Sequence, residues 1–286
     1  MERDGVKAQD QAVCPQKKIV AEDGKKRLEK LLYNYTKQNT GVAFSGGADS
    51  SLLLKMACHF AAVNGTRVTA FMMETELLPL GDVEVARKVA HEAGAELVLL
   101  TMEALKEAGI ENNPENRCYL CKKAIFARIL EEARKRKIDR LMEGTNADDL
   151  LVYRPGIRAI GELGIQSPLA EAGMTKTQVR LLAEAYGVSV ADRPSSPCMA
   201  TRFPYGTELS EDKLNQAKRG EEYLRGLGYC NVRLRVHGEI ARIEVDKKDL
   251  GNLLAQSQQV ISRLKNLGYR YITLDLEGFR SGSMDG

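Results

Sequence analysis

The sequence predicts an α/β protein: a parallel sheet with helices on both faces, followed by a smaller α+β unit. Three observations predict it. Short apolar, partly β-branched runs alternate with helical periods through the first half of the chain. One such run ends in Ser45-Gly46-Gly47 and passes at once into a strongly helical stretch, the signature of strand, tight loop and helix. Beyond about residue 200 the order changes to helix, hairpin, helix and strand.

In order, residues 1–24 are polar, lack an apolar period and are expected to be disordered or frayed. Leu28, Leu31, Leu32 and Tyr35 stand at helical spacing, so a helix is expected from about Lys25 to Tyr35. Strands follow at Val42–Phe44, Arg67–Met73, Glu96–Thr101 and Ile138–Met142, with helices at Asp49–Val63, Val83–Ala93 and Arg117–Lys135. Gly94 closes the second of these helices. Strands separated by helices of such length pair in parallel, because a hairpin cannot contain the crossover. Ligands of these sheets bind outside the carboxyl ends of the strands. Ser45, Glu74 and the group Glu143, Gly144, Thr145 and Asn146 fall at those ends. The first domain is read as 25–200 and the second as 201–286. The second comprises a helix at Leu209–Leu227, strands Val232–His237 and Ile240–Val245 turning at His237-Gly238-Glu239, a helix at Leu250–Leu267 and a strand at Tyr269–Leu274.

The totals exclude several classes. The chain has 286 residues, 43% hydrophobic and 28% charged, which is the profile of a globular protein. A net charge of +3 does not point to nucleic acid. No apolar run reaches membrane-spanning length and Met1-Glu2-Arg3-Asp4 opens no signal peptide, so a cytoplasmic protein without a membrane partner is expected. The six cysteines are not read as a disulfide framework in such a chain.

Gly46 and Gly47 let the backbone approach a ligand, and the free N–H groups of the next helix face the loop with its positive dipole end. That is an anion cradle suited to phosphate; a plain turn with Asp49 or Ser50 as N-cap is the alternative. The string Ser45-Gly46-Gly47-Ala48-Asp49-Ser50 resembles the pyrophosphate loop of ATP-pyrophosphatases, which adenylate a substrate. It lacks the Gly-Lys-Ser/Thr of a Walker loop. Gly144-Thr145-Asn146-Ala147-Asp148-Asp149 could seat a ribose or the Mg²⁺ that accompanies ATP, or form an Asx turn. Tyr153-Arg154-Pro155-Gly156 could bring the Arg154 cation to phosphate.

Cys118 and Cys121 open the long helix as Cys-x-x-Cys. Its dipole and Arg117, Lys122 and Lys123 are expected to lower their pKa values. A redox dithiol, half a zinc site and half an iron–sulfur site all fit that spacing. Cys198 stands in the Pro- and Ser-rich loop Arg193–Arg202, where it reads as a thiolate beside Arg202 rather than a packed side chain. Three cysteines without a fourth ligand would leave one corner of a [4Fe–4S] cluster open. Cys58 and Cys230 read as core residues and Cys14 as incidental. His59, His91 and His237 have no metal-ligand spacing. Arg233 and Arg235 alternate on one strand and so share a face, where either an anion or carboxylates such as Glu239 and Glu244 must lie between them.

Taken together, these residues resemble the LarE sulfur transferases. The likeness rests on Ser45–Ser50, Gly144–Asp149, Tyr153–Gly156, Cys198 with Thr201–Thr207, Val232–Val236, Ile240–Glu244 and Leu267–Asp275, and runs over about residues 25–284. It implies a parallel five-stranded sheet of the adenine nucleotide alpha hydrolase, ATP-pyrophosphatase (PP-loop) type. It also implies ATP- and Mg²⁺-dependent adenylation of pyridinium-3,5-biscarboxylic acid mononucleotide, then sulfur insertion, on the way to the nickel-pincer cofactor of lactate racemase. Some members sacrifice the cysteine matched by Cys198; others carry a transferable sulfide on a [4Fe–4S] cluster, and Cys118 and Cys121 place this chain with them. By the same resemblance Thr201, Arg233 and Arg235 seat the substrate phosphate, and Glu221 and Glu244 bind metal at the interface of a trimer or hexamer. Asn252 replaces the third carboxylate of that set, and Val152 stands where an acidic residue is expected. The alternative is an iron–sulfur tRNA thiolation enzyme with the same loop, against which the near-neutral charge argues.

Overall fold

The computed structural model describes residues 15–152, 155–280 and 283–284. The first unit runs α1 (Pro15–Tyr35), β1 (Thr40–Ala43), α2 (Ala48–Asn64), β2 (Val68–Thr75), α3 (Asp82–Ala93), β3 (Glu96–Met102), the single turn α4 (Ala104–Glu107), α5 (Arg117–Lys135) and β4 (Arg140–Met142). Three helices follow: α6 (Pro155–Glu162), α7 (Pro168–Glu171) and α8 (Lys176–Ala185). The second unit runs α9 (Glu211–Gly226), β5 (Val232–His237), β6 (Ile240–Val245), α10 (Leu250–Ala255), α11 (Ser257–Asn266) and β7 (Tyr271–Leu274).

The four strands of the first sheet pair in parallel in the order β3-β2-β1-β4. The run Val68-Thr69-Ala70-Phe71-Met72-Met73 shows why it is covered on both faces. Ala70 and Met72 pack with α1, α2, α3 and α8, whereas Phe71 and Met73 pack with α5 and α6. β1 is followed by β2 on one side and, later, by β4 on the other. The crevice between the carboxyl ends of β1 and β4 is therefore the topological switch point.

Several expectations are corrected here. Among the described residues the sheet has four strands rather than five: the segment beyond β4 makes a single parallel bridge, Met142 to Gln166. Gly164, with φ +69°, and Pro168 at the start of α7 leave too little extended chain between them for a ladder. The first helix begins at Pro15, not near Lys25. Farther along it is tied to the rest of the unit: a Cβ at Gly24 would meet Met174 Sδ at 2.9 Å, and Arg27 Nε donates to Ala172 O at 3.0 Å. The helix expected over Leu250–Leu267 is broken at Gln256 into α10 and α11.

β5 and β6 form the expected antiparallel hairpin about Gly238, and β7 joins β6 in parallel. Their apolar cluster also takes Leu77, Leu105, Ile110, Met199 and Ala200. The second unit thus packs directly on the carboxyl end of β2.

Candidate active site

Phe44 ends the β1 ladder by donating its N–H to Phe71 O, and the chain turns through Ser45-Gly46-Gly47 into α2. Gly46 takes φ +71°, and a Cβ there would lie 3.2 Å from the Ala86 Cβ. Both the left-handed backbone and the close approach to α3 call for glycine. Gly47 is the N-cap of α2 and supplies no side chain to its first N–H groups. Those donors and the positive end of the helix dipole therefore face the crevice. The Ser45 and Ser50 hydroxyls lie 3.1 Å apart beside them, with Ser45 exposed.

The opposite wall comes from the end of β4. A Cβ at Gly144 would sit 2.8 Å from Ser50 N, so only glycine lets this loop lie against the first turn of α2. Buried Glu143 accepts from Thr145 N and Oγ1, at 3.0 and 2.8 Å, and from Ser167 Oγ. Asn146 Oδ1 accepts from Asp148 N and Asp149 N, which is the Asx-turn geometry, while its Nδ2 donates to Asp49 Oδ1 at 3.3 Å. Asp148 Oδ2 accepts from Lys176 N at 2.8 Å. The Lys176 ammonium pairs with Asp49 Oδ2. Ser45, Gly46, Gly47, Asp49, Ser50, Gly144 and Asp148 thus surround one crevice, whereas Arg154 lies outside the described residues. The sequence reading missed Lys176. Its signal is the capping box Thr175-x-x-Gln178, which starts α8 there and aims the first residue at the crevice.

The cysteine loop docks on the same edge of the sheet. Met199 N donates to Leu77 O at 2.8 Å, just past the end of β2. Arg193 Nη2 holds Asp82 in the first turn of α3 at 2.8 Å. Cys118 is exposed on the first turn of α5, and Cys121, one turn on, packs with Cys198 against the second unit's apolar cluster; Cys230, expected in the core, is exposed, because it lies in the turn ahead of β5. The expected lowering of these thiols is corrected for two of them. Burial pushes Cys121 up to about 12, and the neighbouring Cys198, Cys118 and Glu76 push the same way. Burial also raises Cys198, with Cys118 adding to the effect and Arg117 and Arg202 opposing it. Burial outweighs the nearby cations, two of which are also engaged elsewhere: Lys123 binds Glu162 and Tyr119, and Arg202 binds Glu221. Each thiol therefore bears on another's charge, although among the described residues no three His, Cys, Asp or Glu side chains are grouped to hold a metal ion.

Arg117, at the head of α5, is only 3% exposed and stacks 4.1 Å over the Tyr205 ring. Its Nε and Nη1 have no hydrogen-bond partner among the described residues. A buried guanidinium without acceptors is costly, and its natural complement is negative charge arriving at the neighbouring cysteines.

Thr201, Arg202, Arg233 and Arg235 form an adjoining cluster. Arg202 is fully buried and grips Glu221 through Nε and Nη2 at 2.7 and 2.9 Å, while its Nη1 reaches Pro197 O at 3.0 Å and Thr201 Oγ1 at 2.9 Å. Arg235 pairs with Glu244 at 2.9 Å and donates to Thr201 O. Arg233 donates to Val232 O and Ser195 O at 2.8 and 2.9 Å and meets no carboxylate among the described residues. Burial, with Arg202 beside it, lowers Arg233 to about 10. The alternation of Arg233 and Arg235 does put both on one face, but their neighbours differ: Glu244 holds one, and Glu239 pairs instead with Arg270.

Glu221 and Glu244, for which the resemblance implies an interfacial metal, are held by arginines. Both are fully buried. Glu221 accepts from Arg202, Arg225 and Leu234 N, and Glu244 from Arg235, Arg242 and Ser283. A cavity of 610 Å³ near Asn39, Arg67 and Glu96 lies at the amino ends of the strands, away from all these groups.

Comparison with known proteins adds relatives along nearly the whole chain. It is 39% identical over 248 residues to the pyridinium-3,5-bisthiocarboxylic acid mononucleotide synthase of Lactiplantibacillus plantarum, covering 87% of this chain and 89% of that protein. An uncharacterised protein of Synechocystis is 37% identical over 246 residues, covering 85% and 91%. One from Methanocaldococcus jannaschii is 30% identical over 260 residues, covering 90% and 98%. No family model matches the chain.

Proposed function

The chain belongs to the LarE family of pyridinium-3,5-bisthiocarboxylic acid mononucleotide synthases, and from that premise we propose that it activates a carboxylate of a pyridinium mononucleotide with ATP and exchanges the carboxylate oxygen for sulfur. The observation that carries the activation half is the uncapped start of α2 behind Ser45-Gly46-Gly47, open to the switch-point crevice. A carboxylate oxygen attacks the α-phosphorus of ATP and pyrophosphate departs. The loop N–H groups, the Ser45 and Ser50 hydroxyls and Lys176 stabilise the charge that collects on it. Asp49, Asp148 and Asp149 provide carboxylates for the accompanying Mg²⁺, which needs only one or two from a protein. Sulfide then attacks the acyl carbon, the bond to AMP breaks, and AMP leaves with its electron pair.

The residues beside the crevice fit an iron–sulfur group. Three thiols share one neighbourhood, and the orphaned Arg117 guanidinium complements the negative charge of a thiolate-ligated cluster. A single ion draws its ligands almost to a point, whereas a cubane binds each thiolate at a separate corner. The lack of a single-ion grouping among the described residues bears on the former. Cys118, Cys121 and Cys198 would hold the cluster, losing their protons as they bind. A [4Fe–4S] cluster so held would supply sulfur-transfer chemistry at an iron left without a protein ligand. Thr201, Arg233 and Arg235 orient the substrate phosphate.

Substrate labelled with heavy oxygen in its carboxylates tests the activation step, because adenylation followed by sulfur attack delivers one labelled oxygen to AMP. Unlabelled AMP, or release of ADP instead, would overturn it. Anaerobic reconstitution tests the sulfur half: iron and acid-labile sulfide should be retained by the wild type and lost in Cys118→Ala, Cys121→Ala and Cys198→Ala alike.

A further inference from the structure

Among the described residues, Arg233 is the one member of the arginine cluster whose partners are two carbonyl oxygens and an aromatic ring. That ring is Phe279, with the guanidinium 5.1 Å from its centroid. Phe279 comes from the segment after β7, far in sequence from the strand it covers. The placement is built rather than incidental. Phe279 N donates to Val245 O at 2.7 Å, and Gly278 before it takes φ +73° with space for no side chain, since a Cβ would lie 2.9 Å from the same carbonyl. Farther on, Ser283 Oγ donates to Glu244, the carboxylate that holds Arg235, at 2.6 Å. Described residues before and after Phe279 are thus tied to this cluster.

Phe279 is half-buried, so the ring is not consumed by its contact with Arg233. A phenyl ring is electron-rich on both faces and attracts a second cation as it attracts the first. The substrate class proposed above carries two charges to be recognised: a phosphate, which suits the arginines, and a positively charged aromatic ring, for which no carboxylate of the cluster is available because Glu221 and Glu244 are committed. We propose that Phe279 is a specificity-determining residue that stacks on the pyridinium ring of the substrate while Arg233 and Arg235 hold its phosphate. This rests on the pyridinium mononucleotide reading and adds to it the group that tells such a nucleotide from other phosphates.

Binding to the full-length protein, measured by calorimetry with nicotinate mononucleotide and with ribose 5-phosphate, tests the proposal. Phe279→Leu should weaken nicotinate mononucleotide about fivefold to tenfold, leave ribose 5-phosphate within a factor of about two, and Phe279→Tyr should restore the difference. Equal losses for both ligands would make Phe279 merely a support for Arg233. Equal gains would make it a cover over the phosphate seat, and no change in either would remove it from the site; each result overturns the proposal. Pyrophosphate release by the wild type is scored separately with ATP and the dicarboxylate, so a failure of the activation reading appears there and not in these titrations.

Discussion

At Asp49 a carboxylate meets the Lys176 ammonium and the Asn146 amide inside a crevice lined by free N–H groups. This pair sets the charge balance where pyrophosphate would leave. Lys176→Met should lower the rate of pyrophosphate release roughly a hundredfold, the scale of losing one preorganised donor to a developing anion. Lys176→Arg should recover part of it, and a steady-state pyrophosphate assay reads both. The cysteines differ in the same residue-by-residue way. At pH 8 iodoacetamide should label, among the described cysteines, exposed Cys118 and Cys230 first and Cys121 and Cys198 late, because burial raises both of these thiols, Cys121 to about 12, and the thiolate is the nucleophile. Peptide mapping over time gives the order; rapid labelling of Cys121 would contradict it. Asp49 and the three cysteines were legible in the sequence by type and spacing. Their protonation was not, since desolvation depends on what packs over α5 and the Cys198 loop.

Two elements meet at Gly144, where the loop after β4 touches the first turn of α2. Gly144→Ala places a methyl 2.8 Å from Ser50 N and against the backbone, which has no rotamer with which to yield. It should destabilise the protein by about 1–3 kcal/mol and weaken nucleotide binding with it, as denaturant unfolding and a nucleotide titration would show. In the second unit α9 is locked to β5 and to the cysteine loop through Glu221. Burial favours the neutral acid, but Arg202 and Arg225 outweigh it and hold the carboxyl below its usual range. Its folded pKa being depressed, Glu221 contributes stability above the ordinary carboxylate pKa, and that contribution is lost as pH falls through the lower folded value. Glu221→Gln should cost about 3–5 kcal/mol at neutral pH by leaving Arg202 buried without its partner, and it should flatten the acid limb of the stability curve. The hairpin β5–β6 and the helix α5 were readable to the residue from period and turn chemistry. The helices α6 to α8 were not assigned, because prolines and glycines interrupt that stretch and its order comes from packing against α1, α2 and α5.

At the scale of the whole molecule, the order β3-β2-β1-β4 brings the Ser-Gly-Gly loop and the Gly144–Asp149 loop to either side of one crevice. The second unit, seated on the end of β2, brings Cys198 and the arginines to the same edge. Sequence alternation announced a parallel sheet but not which strands were neighbours. The fifth strand fails because Gly164 and Pro168 stand too close together. Among the described residues no helix is long and apolar enough to cross a membrane. The central claim is that activation and sulfur insertion occur at this one edge. It is tested most directly by incubating reconstituted enzyme with ATP, pyridinium-3,5-biscarboxylic acid mononucleotide and sulfide, and counting pyrophosphate against thiocarboxylate. The account predicts one pyrophosphate for each oxygen replaced; thiocarboxylate formed without pyrophosphate would contradict it.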